Sequence, residues 1–322
     1  MRRKTDGCGL MEYNLIVILG PTASGKTRMA ARLARELGTE IISADSRQVY
    51  RGMDIGTGKD LGEYVVDGHP VPFHLIDVIH PSEEFSVFDY QSQAYRLFIS
   101  LREKGMIPIM AGGSGLYLDS VIKGYRMPEV PVDSGLRKEL DAMDMENLIR
   151  RLRSLRTSFH NITDFTDRER VIRAIEIAQG SLNGEWDASA RPKIQAFIMG
   201  IRWDREVLRR RITRRLEERT RAGLIDEVKN LNQAGLSWER MESLGLEYRY
   251  AGRYIQRKIS YDEMIRELNI RIHQFAKRQL SWFRRMERQG AMIHWIEGDD
   301  CETARRLVRK AFGGVHSIVS PR

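Results

Sequence analysis

Short apolar runs alternate with stretches of helical periodicity over the first third of the chain. The continuous apolar run at 15–19 (L-I-V-I-L) predicts a buried strand, and apolar residues every three or four positions at about 26–37 predict a helix. Strands that alternate with helices indicate an α/β fold, a parallel sheet with helices on both faces. Further apolar runs predict strands at 40–46, 73–78 and 107–113, with a helix at 87–103 before the last of them.

The pattern changes near residue 127. From there to about 191 the sequence is helical in character, rich in Arg and Leu and poor in strand signals, and it ends in the polar break N-G-E-W-D-A-S-A-R-P. The apolar run at 196–203 returns to a strand pattern, and two long basic helices follow. The predicted division is therefore a disordered leader at 1–12, a core at 13–126, an all-helical insertion at 127–192, and the rest of the core at 193–322 with basic helices at 204–221 and 261–288.

Composition adds a basic charge to this picture. The chain has 322 residues, a formal net charge of +9 and a pI near 9.6. A basic excess favours a polyanionic partner, with nucleic acid first, although a merely basic soluble protein remains the alternative. Two cysteines, Cys8 and Cys301, support neither a disulfide framework nor a cysteine-based metal site. We find no signal peptide or membrane-spanning run in the sequence and expect a reducing, cytoplasmic location.

The clearest motif is G-P-T-A-S-G-K-T at 20–27, between the first strand and the first helix. Loops of this kind bind phosphate through backbone N–H groups and the helix N-terminus. Lys26 adds a positive charge, and the Thr27 hydroxyl suits a Mg²⁺ ion that also contacts the phosphates. This context makes a chance match in a structural turn a weak alternative, and it predicts a core like that of P-loop NTPases.

Two other turns follow predicted strands. Asp45, in S-A-D-S-R-Q-V-Y, could ligate Mg²⁺ or act as a base, or it could simply form the turn and cap a helix. In A-G-G-S-G-L-Y, paired glycines allow a substrate close to the backbone, and Ser114 offers a hydroxyl. Because the carboxyl ends of parallel strands meet at one edge, we expect the three turns to converge on one crevice.

The basic helices leave two readings open. Arg211 and Arg215 lie four residues apart, so they share a helix face that is either solvated or directed at phosphate groups. In Q-F-A-K-R-Q-L-S-W-F-R-R-M, basic residues interleave with Trp282 and Phe283. These aromatic side chains belong either to the core or to a base-stacking surface, and the Lys and Arg residues could follow an RNA backbone.

Together these stretches resemble the tRNA dimethylallyltransferase (tRNA isopentenyltransferase) family. The resemblance implies transfer of a dimethylallyl group from dimethylallyl diphosphate to N6 of the adenosine 3′-adjacent to the tRNA anticodon, position 37, by a monomeric enzyme that uses Mg²⁺. The matching motifs, in order between residues 15 and 298, are G-P-T-A-S-G-K-T, D-S-R-Q-V-Y-R-G-M-D-I-G-T-G-K, A-G-G-S-G-L-Y, R-V-I-R-A-I-E-I at 170–177, R-I-x-x-R at 211–215, and I-S-Y-D-E-M followed by A-K-R-Q-L-S-W-F-R.

The resemblance also implies roles for particular residues. Asp45 would be the general base, Ser114 would help to place the reacting centre, and Arg215 would stabilise the leaving diphosphate. The residues implied in donor binding are Gly20, Pro21, Thr22, Ala23, Ser24, Gly25, Lys26, Thr27 (also the Mg²⁺ ligand) and Arg211. The residues implied in tRNA binding are Ser46, Arg47, Gln48, Arg137, Arg170, Arg173, Tyr248 and Arg249.

Some positions depart from the family pattern. Ser114 replaces a Thr, Glu247 stands where the family has Gly, and Ile272-His273 replaces Thr-Arg. Glu247 is thereby expected to place a negative charge where RNA approaches. Two other enzyme classes stay open: an isopentenyltransferase acting on AMP, ADP or ATP, which should lack the insertion and the basic helices, and a P-loop kinase or NTPase, against which D-S-R-Q-V-Y argues. A catalytically silent RNA-binding relative is a third alternative.

Overall fold

The computed structural model describes residues 13–125, 130, 133–155, 168–180 and 191–313. The predicted leader at 1–12 lies outside these residues. The chain forms two compact units, one made of residues 1–124 and 192–322 and the other of residues 125–191.

The first unit is an α/β structure. In chain order it contains β1 (Leu15–Leu19), α1 (Lys26–Leu37), β2 (Ile41–Ala44), a 3₁₀ turn (Leu61–Tyr64), β3 (Val65–Val66), β4 (His69–Pro70), β5 (Phe73–His74), α2 (Val87–Glu103), β6 (Ile109–Gly112) and α3 (Gly115–Ile122). After the second unit it continues with β7 (Ala196–Arg202), α7 (Arg205–Arg221), α8 (Leu224–Gln233), α9 (Trp238–Leu244), α10 (Leu246–Ile255), α11 (Tyr261–Arg288), β8 (Ile293–Glu297) and α12 (Cys301–Ala311). In the second unit, α4 (Ser134–Asp141), α5 (Met145–Leu155) and α6 (Arg168–Gly180) surround a core of Leu140, Leu148, Leu152, Val171, Ile172 and Ile175.

A six-stranded sheet organises the first unit, in the order β5-β2-β6-β1-β7-β8. Every pairing in this sheet is parallel, which confirms the predicted α/β class. The strands β2, β6 and β1 are neighbours, so the turns that follow them emerge side by side at one edge of the sheet.

Alternation along β1 shows that both faces of the sheet are covered. Ile16 and Ile18 belong to a core shared with α1 and α12, whereas Leu15, Val17 and Leu19 belong to a core shared with α2 and α3. All five side chains are buried. This burial is why the strand reads as a continuous apolar run rather than as an alternating one.

One predicted strand is too long. The run at 73–78 forms a strand only at Phe73–His74, because Leu75 and Asp77 adopt positive φ angles of 63° and 56°. This backbone conformation breaks the extended geometry that an apolar pattern suggests. Asp77 then ion-pairs with the buried Lys59.

The long helix α11 connects two cores of the first unit. Its residues Met264, Leu268, Ile272 and Ala276 pack into a helical cluster with α7, α8, α9 and α10, while Phe283 and Met286 pack under the sheet. Ile272 is therefore a core residue. At this departure from the family pattern the side chain therefore supports the helical cluster.

Candidate functional site

Two side chains hold the phosphate-binding loop from outside: Arg211 of α7, and Trp203 in the connection between β7 and α7. Arg211 Nε donates to the Ala23 carbonyl at 2.8 Å, and Trp203 Nε1 donates to the Ser24 carbonyl at 2.9 Å. The Arg211 guanidinium also stacks over the Trp203 ring, 4.3 Å from its centroid. The Nε–H of Arg211 thus fixes the shape of the loop, and the contact of Arg211 with the donor stays a prediction.

Several amides of the loop and the first turn of α1 are free to bind an anion. Gly25 caps the helix with a left-handed φ of 89°. Within the described residues, the N–H groups of Gly25, Lys26 and Thr27 have no hydrogen-bond partner. Ser24 differs, because its N–H donates to the Pro21 carbonyl at 3.2 Å. Free amides at a helix N-terminus form an anion site.

Lys26 supplies a cation at the same place. Burial lowers its pKa to about 8, partly offset by Asp45, while the cationic groups of Arg215 and Arg219 lower it further. Its ammonium group has no ion-pair partner in the part of the chain that the structure describes. A partly buried, unpaired cation beside free amides favours a multiply charged anion such as a diphosphate.

Asp45 lies in the turn directly after β2. Its Oδ1 accepts the Arg47 N–H at 3.0 Å, so it does form the turn. Its Oδ2 has no hydrogen-bond partner among the described residues and stays available as a proton acceptor. Asp45 is also the strongest favourable charge acting on Lys26, which shows that the base candidate and the phosphate loop share one site.

Ser114 fixes the backbone next to Asp45. Its Oγ accepts the Ser46 N–H at 2.9 Å and donates to Ser46 Oγ at 3.2 Å, and its own N–H donates to the Ala44 carbonyl at 3.1 Å. These bonds fix the Asp45 turn, and the catalytic role of Ser114 stays a prediction. The structure brings the turns after β1, β2 and β6 together, as the sequence predicted.

Gln279, on the buried face of α11, is a site residue that was not predicted from the sequence. Its Oε1 accepts the Thr22 N–H at 2.8 Å, and its Nε2 donates to the Gly113 carbonyl at 2.9 Å. One side chain thus joins the phosphate loop to the turn that carries Ser114. Because the Thr22 N–H is used in this bond, it does not face a bound phosphate. A polar residue at the core position between Ala276 and Phe283 was the available signal.

Arg215 lies beside the loop 53–60, most of which belongs to the motif D-S-R-Q-V-Y-R-G-M-D-I-G-T-G-K at 45–59. It donates to the Gly58 carbonyl at 3.2 Å and ion-pairs with Asp60. Gly58 has a φ of 61°, and a Cβ there would overlap the Arg219 guanidinium at 1.4 Å. Only glycine therefore lets this loop approach α7 so closely.

Arg219, one turn after Arg215, was not predicted as a site residue. Its pKa is lowered to about 10, mainly by burial and then by Arg215. It pairs with Glu247 at 3.5 Å, and both side chains are less than one-fifth exposed. Burial raises the pKa of the Glu247 carboxyl, and Arg219 opposes that shift. The expectation that Glu247 opposes approaching RNA is wrong, because its charge is mostly enclosed against Arg219.

The predicted tRNA-contacting residues of the first unit divide into two groups. Arg47 is exposed at the Asp45 turn and donates to the Ser243 carbonyl at 3.0 Å, and Arg249 donates to the Glu242 carbonyl. Gln48 and Tyr248 are buried: Gln48 donates to the Gly58 carbonyl, and the Tyr248 hydroxyl donates to Glu227 at 2.7 Å. Both side chains support the local structure through these bonds, and the predicted roles of the four residues in tRNA binding stay predictions.

In the second unit, Arg137 and Arg173 both pair with the fully buried carboxylate of Glu176, at 2.8 and 2.9 Å. Arg170 is exposed on α6. A buried carboxylate held by two guanidinium groups fixes where those groups lie. The predicted roles of the three arginines in tRNA binding stay predictions.

The described residues contain neither a membrane-spanning helix nor a cluster of metal-ligating side chains. No helix within the described ranges is both long and apolar enough to cross a membrane. Nor do the described His, Cys, Asp and Glu residues form a group of three that could hold a metal ion.

The fold and site define an α/β protein whose phosphate-binding loop faces a carboxylate on the neighbouring turn. Residues 48–286 match the family described as IPP transferase, and residues 13–69 match the family described as isopentenyl transferase. The chain belongs to the IPP transferase family, which confirms the resemblance seen in its motifs.

Individual relatives agree with this assignment. The chain is 55% identical to tRNA dimethylallyltransferase 1 of Syntrophus aciditrophicus (strain SB), covering 93% of this chain and 98% of that one. It is 52% identical to tRNA dimethylallyltransferase 2 of Syntrophotalea carbinolica, over 89% and 95% of the two chains. A crystal structure of a tRNA isopentenylpyrophosphate transferase from Bacillus halodurans superposes with a TM-score of 0.67 at 32% identity, over 94% and 97%.

Proposed function

We propose that the protein transfers the dimethylallyl group of dimethylallyl diphosphate to N6 of the adenosine 3′-adjacent to the tRNA anticodon, position 37. One observation carries this proposal. The Lys26 ammonium and the free amides of the loop share a site with Asp45, which lies on the neighbouring turn. The relatives named tRNA dimethylallyltransferase supply the substrate class.

The loop binds the diphosphate of the donor. The amides of Gly25, Lys26 and Thr27 and the Lys26 ammonium would contact its oxygens, and Arg215 lies close enough to affect the charge of Lys26. These groups stabilise the negative charge that develops on the diphosphate as its bond to the allylic carbon breaks. Arg211 and Trp203 keep the loop carbonyls fixed while this occurs.

Asp45 assists the acceptor. The exocyclic amine of adenine is a weak nucleophile, because its lone pair is delocalised into the ring. As N6 bonds to C1 of the donor, the C1–O bond breaks, diphosphate leaves, and the free oxygen of Asp45 takes the N6 proton. Ser114 holds the Asp45 turn in place for this transfer. To reach Asp45, the adenosine must leave the base stack of the anticodon loop.

The residues present fit a Mg²⁺ ion that binds together with the donor. The Thr27 hydroxyl has no hydrogen-bond partner in the described chain, and Mg²⁺ commonly takes few protein ligands besides phosphate oxygens and water. When bound there, the ion would neutralise part of the diphosphate charge. We further propose that the enzyme acts as a monomer in the cytoplasm, where its tRNA substrate is found. Light scattering on the purified protein tests the monomer.

A label-transfer assay tests the function. The protein is incubated with radiolabelled dimethylallyl diphosphate, Mg²⁺ and either unmodified tRNA or AMP, and we expect label in tRNA only. Label in AMP would favour an adenylate prenyltransferase, and ATP turnover without label transfer would favour an NTPase.

Asp45→Ala tests the base. We expect it to reduce transfer by about 10²- to 10⁴-fold, the usual contribution of a general base, and to leave tRNA binding unchanged. Asp67→Ala, in the exposed β3–β4 turn, is the matched control. Equal loss of transfer and of tRNA binding in Asp45→Ala would show that Asp45 is structural.

A further inference from the structure

The loop 53–60 binds a carboxylate of α8 with its amides. The N–H groups of Asp54 and Ile55 donate to Glu227 Oε2 at 2.8 and 2.7 Å. The Gly56 N–H donates to the other carboxylate oxygen, Oε1, at 3.0 Å. Hydrogen bonds to an ionised acceptor are stronger than those between neutral groups. Three consecutive amides that converge on Glu227 therefore fix the backbone in the first half of this loop.

Glu227 is itself held by α10. The Tyr248 hydroxyl donates to Glu227 Oε1 at 2.7 Å. Burial, and then the charge of Glu227, raise the pKa of Tyr248 well above its ordinary value, so the hydroxyl keeps its proton and stays a donor. The Tyr248 ring also packs against Gly56, where a Cβ would lie 2.6 Å from it. The carboxylate thus has donors from the loop and from α10, which together fix its orientation.

A buried cation closes the loop on itself. The side chain of Lys59 is 1% exposed, and its ammonium group donates to the Tyr50 carbonyl at 2.8 Å. The same group ion-pairs with Asp54 and Asp77. The Lys59 N–H also donates to the Asp54 carbonyl at 3.1 Å. Because the two ends of the loop are joined in this way, a shift of its first residues is passed on to its last ones.

Arg215 depends on this loop for its position. Its hydrogen-bond and ion-pair partners among the described residues are the Gly58 carbonyl, at 3.2 Å, and Asp60. Arg219 differs, because it is also paired with Glu247 of α10. A guanidinium group whose partners lie in one loop moves when that loop moves, so Arg215 is the arginine that a displaced loop would affect most.

We propose that Glu227 is a positioning residue for Arg215: it holds the loop 53–60 where Gly58 and Asp60 direct the guanidinium group towards the diphosphate. This proposal rests on the proposed function, in which Arg215 stabilises the diphosphate. Glu227 does not contact the donor, because its two oxygens are engaged by the loop amides and Tyr248. A misplacement of about 1 Å in such a group can cost roughly 100-fold in rate.

The affinity for inorganic diphosphate tests the proposal. Isothermal titration calorimetry with Mg²⁺ present measures it without tRNA and without catalysis. Glu227→Ala should weaken binding by about 10- to 100-fold, the loss of one hydrogen bond to a charged group. Removal of a negative charge would by itself strengthen the binding of an anion, so a weaker affinity reports the lost position. Asp226→Ala removes the neighbouring carboxylate, which is exposed and paired with Lys229, and should retain wild-type affinity.

A double variant shows whether Glu227 acts through Arg215. In an Arg215→Ala background, Glu227→Ala should change the affinity by less than about threefold, since the group that Glu227 positions is gone. Glu227→Gln keeps an oxygen that accepts the Asp54 and Ile55 amides, so it should lose less affinity than Glu227→Ala. Glu227→Gln also supplies the measurement if Glu227→Ala does not fold.

Wild-type affinity for diphosphate in the folded Glu227 variants would overturn the proposal, even if their unfolding temperature is lower. Losses that multiply in the double variant would also overturn it, because Glu227 would then act independently of Arg215. Absence of label transfer by the wild-type protein would overturn the proposed function alone, and the diphosphate titrations would still decide the role of Glu227.

Discussion

At the residue scale, the site is defined by how its cations are compensated. Lys26, Arg215 and Arg219 are close enough that the two arginines lower the pKa of Lys26. Arg215 is paired with Asp60 and Arg219 with Glu247, so the carboxylates nearest to the two arginines are already engaged. Lys26 has no such partner within the described residues. The net positive charge of the cluster is therefore concentrated where the free amides are, and an arriving diphosphate is the group that compensates it.

The lowered pKa of Lys26 predicts a pH limit for donor binding. Lys26 must be protonated to attract the diphosphate, and its pKa in the free protein is about 8. Hence kcat/KM for dimethylallyl diphosphate should fall as the pH rises through about 8, since this parameter reports the free enzyme. The bound donor should raise the pKa of Lys26, so kcat should fall only at higher pH.

Lys26→Arg separates this cause from others. An arginine stays protonated over the whole range, so the decline near pH 8 should disappear, even if the maximal rate is lower. If the decline persists unchanged in Lys26→Arg, another group causes it.

The pH dependence of the unfolding free energy gives an independent measurement of the Lys26 pKa. The folded pKa of Lys26 is below the ordinary value of 10.5, so the unfolded chain binds more protons between about pH 8 and 10.5, and this group's contribution makes the protein more stable as the pH rises across that window.

At the element scale, local sequence patterns predict helices and strands, but they do not predict long-range contacts. The apolar run at 15–19 and the helical period at 87–103 correspond to Leu15–Leu19 and Val87–Glu103, because burial on the sheet and capping by Ser86 are both local signals. The strand predicted at 73–78 is too long, since no apolar pattern encodes the positive φ angles of Leu75 and Asp77. Nor does a local pattern show which distant residues meet. Gln279 is 257 positions from Thr22, and only the packing of α11 under the sheet brings them together.

Gln279 is therefore the residue through which α11 should fix the positions of the phosphate-binding loop and of the turn after β6. Gln279→Leu leaves the Thr22 N–H and the Gly113 carbonyl without partners, which should cost about 1–3 kcal/mol of unfolding free energy in denaturant titrations. Because both loops lose their common attachment, we also expect a higher KM for dimethylallyl diphosphate together with a lower kcat.

Two variants control this prediction. Gln279→Glu keeps the oxygen that accepts the Thr22 N–H, but when ionised it cannot donate to the Gly113 carbonyl. It should therefore retain affinity for dimethylallyl diphosphate better than Gln279→Leu does. Gln274→Leu, on the exposed face of α11, should match the wild type in both stability and KM. Loss of stability with unchanged kinetic constants in Gln279→Leu would show that Gln279 supports the core without positioning the site.

At the scale of the whole molecule, the two proposed substrates meet different kinds of positive charge. The donor meets a few groups in a partly buried site, where Arg211, Trp203 and Gln279 fix the loop. The RNA meets a chain whose formal net charge is +9, much of it on exposed helices such as α7 and α11. Exposed charges are screened by salt, whereas groups in a desolvated site are screened much less.

This difference predicts that ionic strength separates the two substrates. If roughly three to five phosphates of the RNA are neutralised by exposed Lys and Arg, its affinity should fall by about 20- to 100-fold between 50 and 200 mM salt, through release of counterions. The KM for dimethylallyl diphosphate should change by less than about tenfold over the same range, because amide donors release no counterions and Lys26 is partly buried. Both constants are obtained from one label-transfer assay in which one substrate is varied while the other is saturating, with Mg²⁺ held constant. Parallel salt dependence of the two constants would mean that RNA is held mainly by contacts shielded like those of the donor, and the exposed basic helices would then have no part in its binding.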